Sequence, residues 1–300
     1  MRPTAAVLRT FHHSEFDLPT LLAAKATQRV SVCLPARDEQ GTVGAIVERV
    51  AELVDAGLVD EILVVDDHSR DATAAVAAAA GARVVAAADV LADFGEGHGK
   101  GEALWKSLYA ASGELIVWCD SDLIDFERSF IIGLLGPLLT RPDVGFVKGY
   151  YDRPATDPAD RGGRVTELVA RPLLALLFPH LTAIVQPLAG EYAGRRSILE
   201  QLPFVEGYGV DLALLVDVAA RFGTEVIAQV DLGVRHHRNR PLDELSPQAA
   251  AVLQTALRKA GSTVGVAPAT LVRPGLDPVE IDPVERPPLV SLSAYRRRTA

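Results

Sequence analysis

Asp120, Ser121 and Asp122 follow directly on an apolar run, Leu115 to Cys119. Two carboxylates flanking one residue at a strand end form a rigid acidic edge. Hard divalent cations such as Mg²⁺ or Mn²⁺ take such oxygen ligands and keep open positions for phosphates. The structural alternative is a strand-end turn, since Asp and Ser are common turn formers. Asp66-Asp67-His68-Ser69 closes another apolar run, Glu61 to Val65. A carboxylate there can accept from a base N–H or a ribose hydroxyl, while Ser69 or Asp71 can instead cap the helix that follows. Pro35-Ala36-Arg37-Asp38-Glu39 repeats the arrangement, with capping by Asp38 or Thr42 as its alternative.

Three further clusters carry cationic or backbone donors. Gly95-Glu96-Gly97-His98-Gly99-Lys100-Gly101 lacks the Ser or Thr that a phosphate loop needs after Gly-Lys. It also fails the dinucleotide fingerprint, because Lys100 stands where the third glycine belongs. A glycine loop that delivers one Lys beside a helix start still suits a phosphate or a sugar hydroxyl. Arg235-His236-His237-Arg238-Asn239-Arg240 gathers two His and three Arg after a strand, either as a solvated basic loop or with a His completing a metal site. Gly162-Gly163-Arg164-Val165-Thr166 offers backbone N–H groups, a guanidinium and a hydroxyl at a loop-to-helix junction. That set can bind a phosphate or carboxylate, or simply start the helix.

The elements that position these clusters alternate. Val30 to Leu34, Glu61 to Val65, Ala82 to Ala86 and Leu115 to Cys119 read as short apolar strands. Between them lie helical patterns: one with Val43, Ile46, Val47, Val50 and Val54 on one face, then Asp71 to Ala80, then Glu102 to Ala111. Strand–helix repeats with short links specify an α/β fold, a mainly parallel twisted sheet flanked by helices. Ligands in such sheets bind beyond the carboxyl ends of the strands, where the acidic clusters stand. A short helix is expected near Leu18 to Thr27. Beyond Tyr151 the rhythm weakens to helices near Val165 to Leu177 and Val210 to Phe222, and a strand over Val226 to Val234. Residues 1–150 and 151–300 thus read as two halves of one continuous unit, the second ending in a flexible basic tail.

The formal net charge of −9 over 300 residues argues against a nucleic-acid partner, because phosphate backbones are held by clustered Lys and Arg. No secretory signal is visible, and no segment reaches the roughly 18 apolar residues of a membrane span. Cys33 and Cys119 sit inside strand-like runs and read as buried free thiols, consistent with a cytosolic protein.

Several stretches together resemble the glucosyl-3-phosphoglycerate synthases of actinobacteria, retaining glycosyltransferases of the GT-A fold. The matching runs are Gly99 to Trp105 (GKGEALW), Asp120 to Ile124 (DSDLI), Gly162 to Arg171 (GGRVTELVAR), Gln186 to Ala193 (QPLAGEYA), Gly207 to Val210 (GYGV) and Leu232 to Leu245 (LGVRHHRNRPLDEL). They lie within Thr10 to Leu245, and such long literal runs are far more specific than an isolated Asp-x-Asp. The resemblance implies transfer of glucose from UDP-glucose to 3-phosphoglycerate with Mg²⁺ or Mn²⁺, in a homodimer, with a smaller C-terminal acceptor-binding lobe. It places Pro35, Ala36, Arg37, Asp38, Glu39 and Asp67 along the nucleotide, and Lys100, Asp120 and Ser121 facing the donor. Tyr208, Gly209, Val210 and Asp211 fall near the donor sugar, with Asp211 and Lys100 as the catalytic candidates. Asp122 and His237 match the metal ligands; Gly163, Arg164, Val165, Thr166 and Asn239 fall in the acceptor segments.

Three departures bear on the donor. Asp211 stands where the family carries Glu, Asp67 where it carries Ser, and Arg37-Asp38 where it carries a small apolar–Asn pair. Charge at those positions keeps GDP-mannose, the donor of mannosyl-3-phosphoglycerate synthases, as the alternative. A haloacid-type phosphatase also uses Asp-x-Asp, but after the first strand of its domain, whereas Asp120 follows the fourth strand here. A nucleotidyltransferase would release pyrophosphate, and a non-catalytic nucleotide-sugar sensor would have no use for the acceptor segments.

Overall fold

The computed structural model describes residues 8–152, 163–235, 241–282 and 284–299. Its centre is an eight-stranded sheet. The strands in chain order are β1 (Arg9–His12), β2 (Val30–Ala36), β3 (Glu61–Asp66), β4 (Arg83–Ala86), β5 (Leu115–Trp118), β6 (Phe146–Asp152), β7 (Tyr192–Arg195) and, after the two-residue β8 (Phe204–Val205), β9 (Ile227–Val234). The spatial order is β1-β9-β6-β7-β5-β2-β3-β4. Only β7 runs antiparallel to its neighbours, wedged between β5 and β6; every other pairing is parallel. Strands from both halves of the chain therefore share one sheet.

The inner strands β2, β3 and β5 are buried on both faces, which is why they read as continuous apolar runs. Successive side chains point to opposite sides. In β2, Val30, Val32 and Leu34 enter one core cluster and Cys33 the other; in β3, Ile62 and Val64 oppose Leu63 and Val65. The helices α1 (Leu18–Lys25), α2 (Val43–Asp55), α3 (Thr73–Ala79), α4 (Lys100–Ala110) and α5 (Arg128–Thr140) cover the sheet together with α6 (Arg171–Leu177), α7 (Arg196–Leu199) and α8 (Val210–Phe222). Helix α2 buries Val43, Ile46, Val47 and Val50 as its spacing requires; Val54 is instead 37 % exposed and Leu53 is buried. Helix α9 (Leu242–Lys259) packs on α8, followed by the hairpin β10 (Ala269–Arg273) and β11 (Leu276–Ile281). Strand β12 (Glu285–Arg286) pairs with β8, and α10 (Ser293–Thr299) ends the described chain. Among the described residues no helix is long and apolar enough to cross a membrane.

The C-terminal stretch is docked, which corrects the expectation of a flexible tail. Leu289, Leu292 and Tyr295 recur every third residue and are buried in the core. Arg298 donates to the carbonyls of Tyr109 and Ala110, the last residues of α4. A cation against orphan carbonyls at a helix C-terminus is favourable, so Arg298 serves as a cap on α4. Both thiols are buried and free, as expected; burial pushes the Cys33 thiol up to about 12, which keeps it protonated.

Candidate active site

The carboxyl ends of β2, β3 and β5 open into a cavity of about 500 Å³. Pro35, Ala36, Arg37, Asp38 and Glu39 line it from the end of β2, and Asp67 from the end of β3. Their backbones are fixed by side chains from the adjoining loop. Asp38 has a left-handed φ of +57°, a conformation Asp tolerates better than most residues. Its N–H donates to Ser69 Oγ at 3.0 Å, and its carboxylate accepts from the Arg70 N–H at 2.7 Å. Thr42 makes no capping bond to α2; its hydroxyl donates to the Ser121 carbonyl at 2.6 Å. Asp71 does hold the start of α3, accepting from the Thr73 N–H at 2.9 Å. Asp67 accepts from the Gly99 N–H at 2.8 Å and thereby ties β3 to the glycine loop.

Helix α4 begins at Lys100 itself, so this Lys stands on the first turn of a packed helix rather than on the loop before it. A Cβ at Gly101 would lie 1.8 Å from the Val205 carbonyl oxygen, so only glycine lets α4 approach β8 this closely. Lys100 Nζ lies 2.8 Å from Asp120 Oδ1 and 3.2 Å from Asp211 Oδ1. Burial works against the ammonium, but the two carboxylates outweigh it and raise its pKa well above the ordinary lysine value. Tyr192 packs beside this group, with Lys148 Nζ 4.3 Å from its ring centre. Burial, then the Asp211 charge, raises its phenol well above the usual value, so it stays neutral.

Asp120 and Asp122 both line the cavity, with side chains 26 % and 32 % exposed. Asp120 lies against Gly190, where a Cβ would meet its carboxylate at 2.1 Å. The two acids converge on a cation already present in the chain: Arg235 Nη2 is 3.3 Å from Asp122 Oδ1 and 3.9 Å from Asp120 Oδ2. Its other nitrogen contacts buried Glu191 at 2.8 Å and the Tyr151 hydroxyl at 2.5 Å. Burial opposes the guanidinium, but Glu191 and its neighbours raise its pKa. A partly exposed, oxygen-only edge aimed at a cation fits Mg²⁺ or Mn²⁺.

Gly163, Arg164, Val165 and Thr166 line the same cavity, and so do Ser121, Tyr208 and Asp211. The Gly163 carbonyl accepts from the Glu167 N–H at 2.8 Å, so Gly163 starts the helical turn that carries Thr166. Gly209 and Val210 are not part of the wall: Gly209 packs against Thr255 and Val210 is fully buried. His237 and Asn239 lie outside the described residues. Sequence reasoning assigned no role to Lys148, Tyr151, Glu191 or Tyr192. Glu191 and Tyr192 sit inside the run QPLAGEYA, the one signal that could have marked them.

A mostly parallel sheet whose strand ends carry Asp67, Asp120 and Asp122 around the ion-paired Lys100 is the arrangement of a glycosyltransferase of the GT-A fold. Residues 31–202 match the model of glycosyl transferase family 2. The chain is 44 % identical to a glucosyl-3-phosphoglycerate synthase of Petrotoga mobilis, covering 97 % of this chain and 96 % of that protein. It is 47 % identical to the glucosyl-3-phosphoglycerate synthase of Mycolicibacterium smegmatis, over 94 % of this chain and 96 % of the relative. The crystal structure of the Mycobacterium tuberculosis glucosyl-3-phosphoglycerate synthase with Mn²⁺, UDP-glucose and phosphoglyceric acid is similar, with a TM-score of 0.88 at 45 % identity, covering 95 % of this chain and 99 % of that one. The chain belongs to the glucosyl-3-phosphoglycerate synthase family.

Proposed function

We propose that this chain transfers glucose from UDP-glucose to 3-phosphoglycerate, with retention at the anomeric carbon, releasing UDP and glucosyl-3-phosphoglycerate. The observation that carries the reading is Lys100, held between Asp120 and Asp211 in a cavity that also contains Arg164 and Thr166. The bound UDP-glucose and phosphoglyceric acid of the M. tuberculosis enzyme supply the substrate classes.

Each side chain then has a role. Pro35 to Glu39, Asp67 and Ser121 form the nucleotide wall, and Tyr208 lies toward the donor sugar. Lys100 stays charged, because two carboxylates raise its pKa, and neutralises the charge that accumulates on the departing diphosphate. Asp122, beside Asp120 and with His237, would hold Mn²⁺ or Mg²⁺, which supplies Lewis-acid stabilisation of the same diphosphate. Gly163, Arg164, Thr166 and Asn239 take the phosphate and carboxylate of the acceptor through charge-assisted bonds. The bond from the anomeric carbon to the UDP oxygen breaks, and the acceptor hydroxyl bonds to that carbon on the same face. Its proton passes to a phosphate oxygen of the leaving UDP. Asp211 borders the sugar and steadies Lys100 without forming a covalent intermediate. A homodimer and a cytosolic location are part of the same proposal.

The test is to supply UDP-glucose or GDP-mannose in parallel with 3-phosphoglycerate and a divalent cation, measuring nucleotide release and product mass. Turnover with UDP-glucose is expected. Turnover with GDP-mannose alone would keep the fold and acceptor site but replace the donor, and silence with both, while donor still binds, would discard the acceptor assignment through Arg164, Thr166 and Asn239.

A further inference from the structure

Beside the nucleotide wall, one ligand atom from each of Asp67, His68 and His98 lies within 4.8 Å of the other two. The two imidazole rings are 4.5 Å apart between centres and inclined by 55°. Asp67 Oδ1 lies 2.9 Å from His68 Nδ1. An ionised carboxylate can only accept, so this contact selects the Nδ1–H tautomer of the neutral imidazole, in which Nε2 carries the lone pair. That Nε2 is buried and has no hydrogen-bond partner, while Glu96 Oε2 stands 4.0 Å away. A carboxylate behind one imidazole nitrogen, with the other nitrogen unpaired toward a second imidazole, is the arrangement that orients metal-binding histidines.

We propose that His68 and His98 hold a borderline divalent cation of the Zn²⁺ type, with Asp67 orienting His68 and Glu96 within reach as an oxygen ligand. Paired imidazoles select Zn²⁺, Ni²⁺ or Cu²⁺ over Mg²⁺, whereas the Asp120–Asp122 edge has the opposite preference. The two sites differ in position as well as in chemistry. His68 follows β3 and His98 lies in the glycine loop that runs into Lys100. A cation there would cross-link the strand end to that loop, whose Gly95, Gly97 and Gly99 all have left-handed φ values. The proposal does not depend on the donor or the acceptor of the reaction.

The test uses full-length, tag-free, metal-stripped protein carrying Asp122→Ala, which disables the carboxylate edge. Zn²⁺ is titrated in competition with a chromophoric chelator. The expected result is one Zn²⁺ per chain, with affinity lowered about tenfold or more by His98→Ala and, separately, by His68→Gln. His98 is exposed, so its replacement leaves the core untouched. Replacing the other neighbouring pair, His12 and His13, should change nothing. Binding that is insensitive to His98→Ala, binding that follows His13 instead, or no binding at micromolar Zn²⁺ would each overturn the proposal.

Discussion

The ammonium of Lys100, the first residue of α4, lies 3.2 Å from Asp211 Oδ1 in the first turn of α8, 111 positions further along the chain. This pair joins the start of α4 to the start of α8 at the wall of the cavity. The carboxylates hold the Lys100 ammonium in its charged form, and an ion-paired Asp211 suits electrostatic stabilisation of a leaving group better than nucleophilic attack.

Lys100→Met should lower kcat by about 100-fold or more while the fold is kept, since a preorganised charge at the leaving group is worth that much. Steady-state UDP release, with circular dichroism as the folding control, measures it. A variant within threefold of wild type would remove Lys100 from the mechanism.

The carboxylate of Asp211 is one methylene shorter than the family's Glu. If it acts by charge alone, Asp211→Glu should keep kcat within about tenfold, whereas Asp211→Ala should lose more, by loss of the Lys100 partner. Incubation with a fluorinated donor followed by intact-mass measurement should give no adduct; an adduct on Asp211 would instead establish a covalent route.

Gly190→Ala probes the carboxylate edge without touching a charge. Its Cβ would lie 2.1 Å from Asp120 Oδ2, so the acid must swing away. The expected outcome is a folded protein whose half-maximal activating Mn²⁺ concentration or donor KM rises about tenfold. Unchanged metal activation would mean that Asp120 is not held in its working position by this contact.

Chelation should abolish turnover, and added Mn²⁺ should restore it. Asp122→Ala should shift the activating metal concentration by about tenfold or more, because a first carboxylate ligand is lost. The readout is rate against free Mn²⁺; superimposable curves for the two proteins would exclude Asp122 as a ligand.

Lys148 is buried, donates to the Ala189 carbonyl at 2.7 Å, and is pushed down to about 8 by burial from an ordinary 10.5. Between those two values the unfolded chain keeps this proton and the folded chain does not. The folded state is therefore penalised below pH 8 and relieved as pH rises toward 10.5. The stability of wild type minus that of Lys148→Met should rise across this window by up to about 3 kcal/mol. Urea unfolding at pH 7.5 and pH 10.5 measures the difference, and a flat difference would refute the buried-ammonium account.

The sequence by itself determined the alternation of strands and helices, because strands buried on both faces must be apolar throughout and their polar ends stand out against that background. Asp38, Asp67, Asp120 and Asp122 were legible for this reason, and the fit of α8 to Val210 through Phe222 followed from helical spacing alone. Literal runs of the family placed Arg164 and Thr166. The antiparallel strand β7 left no such trace: its four residues include Gly194, and its place between β5 and β6 depends on partners distant in the chain. Edge strand β1, four residues with alternating burial, likewise left no trace ahead of Val30, where only a short helix is expected. Only the tertiary structure brought Lys100 between Asp120 and Asp211, set Arg235 against the Asp-x-Asp edge, and folded Leu289, Leu292 and Tyr295 back onto the core. The physical reason is the same in each case. Periodicity reports which face of an element is buried, whereas the meeting of charges from separate elements is set by how sheet and helices pack against one another.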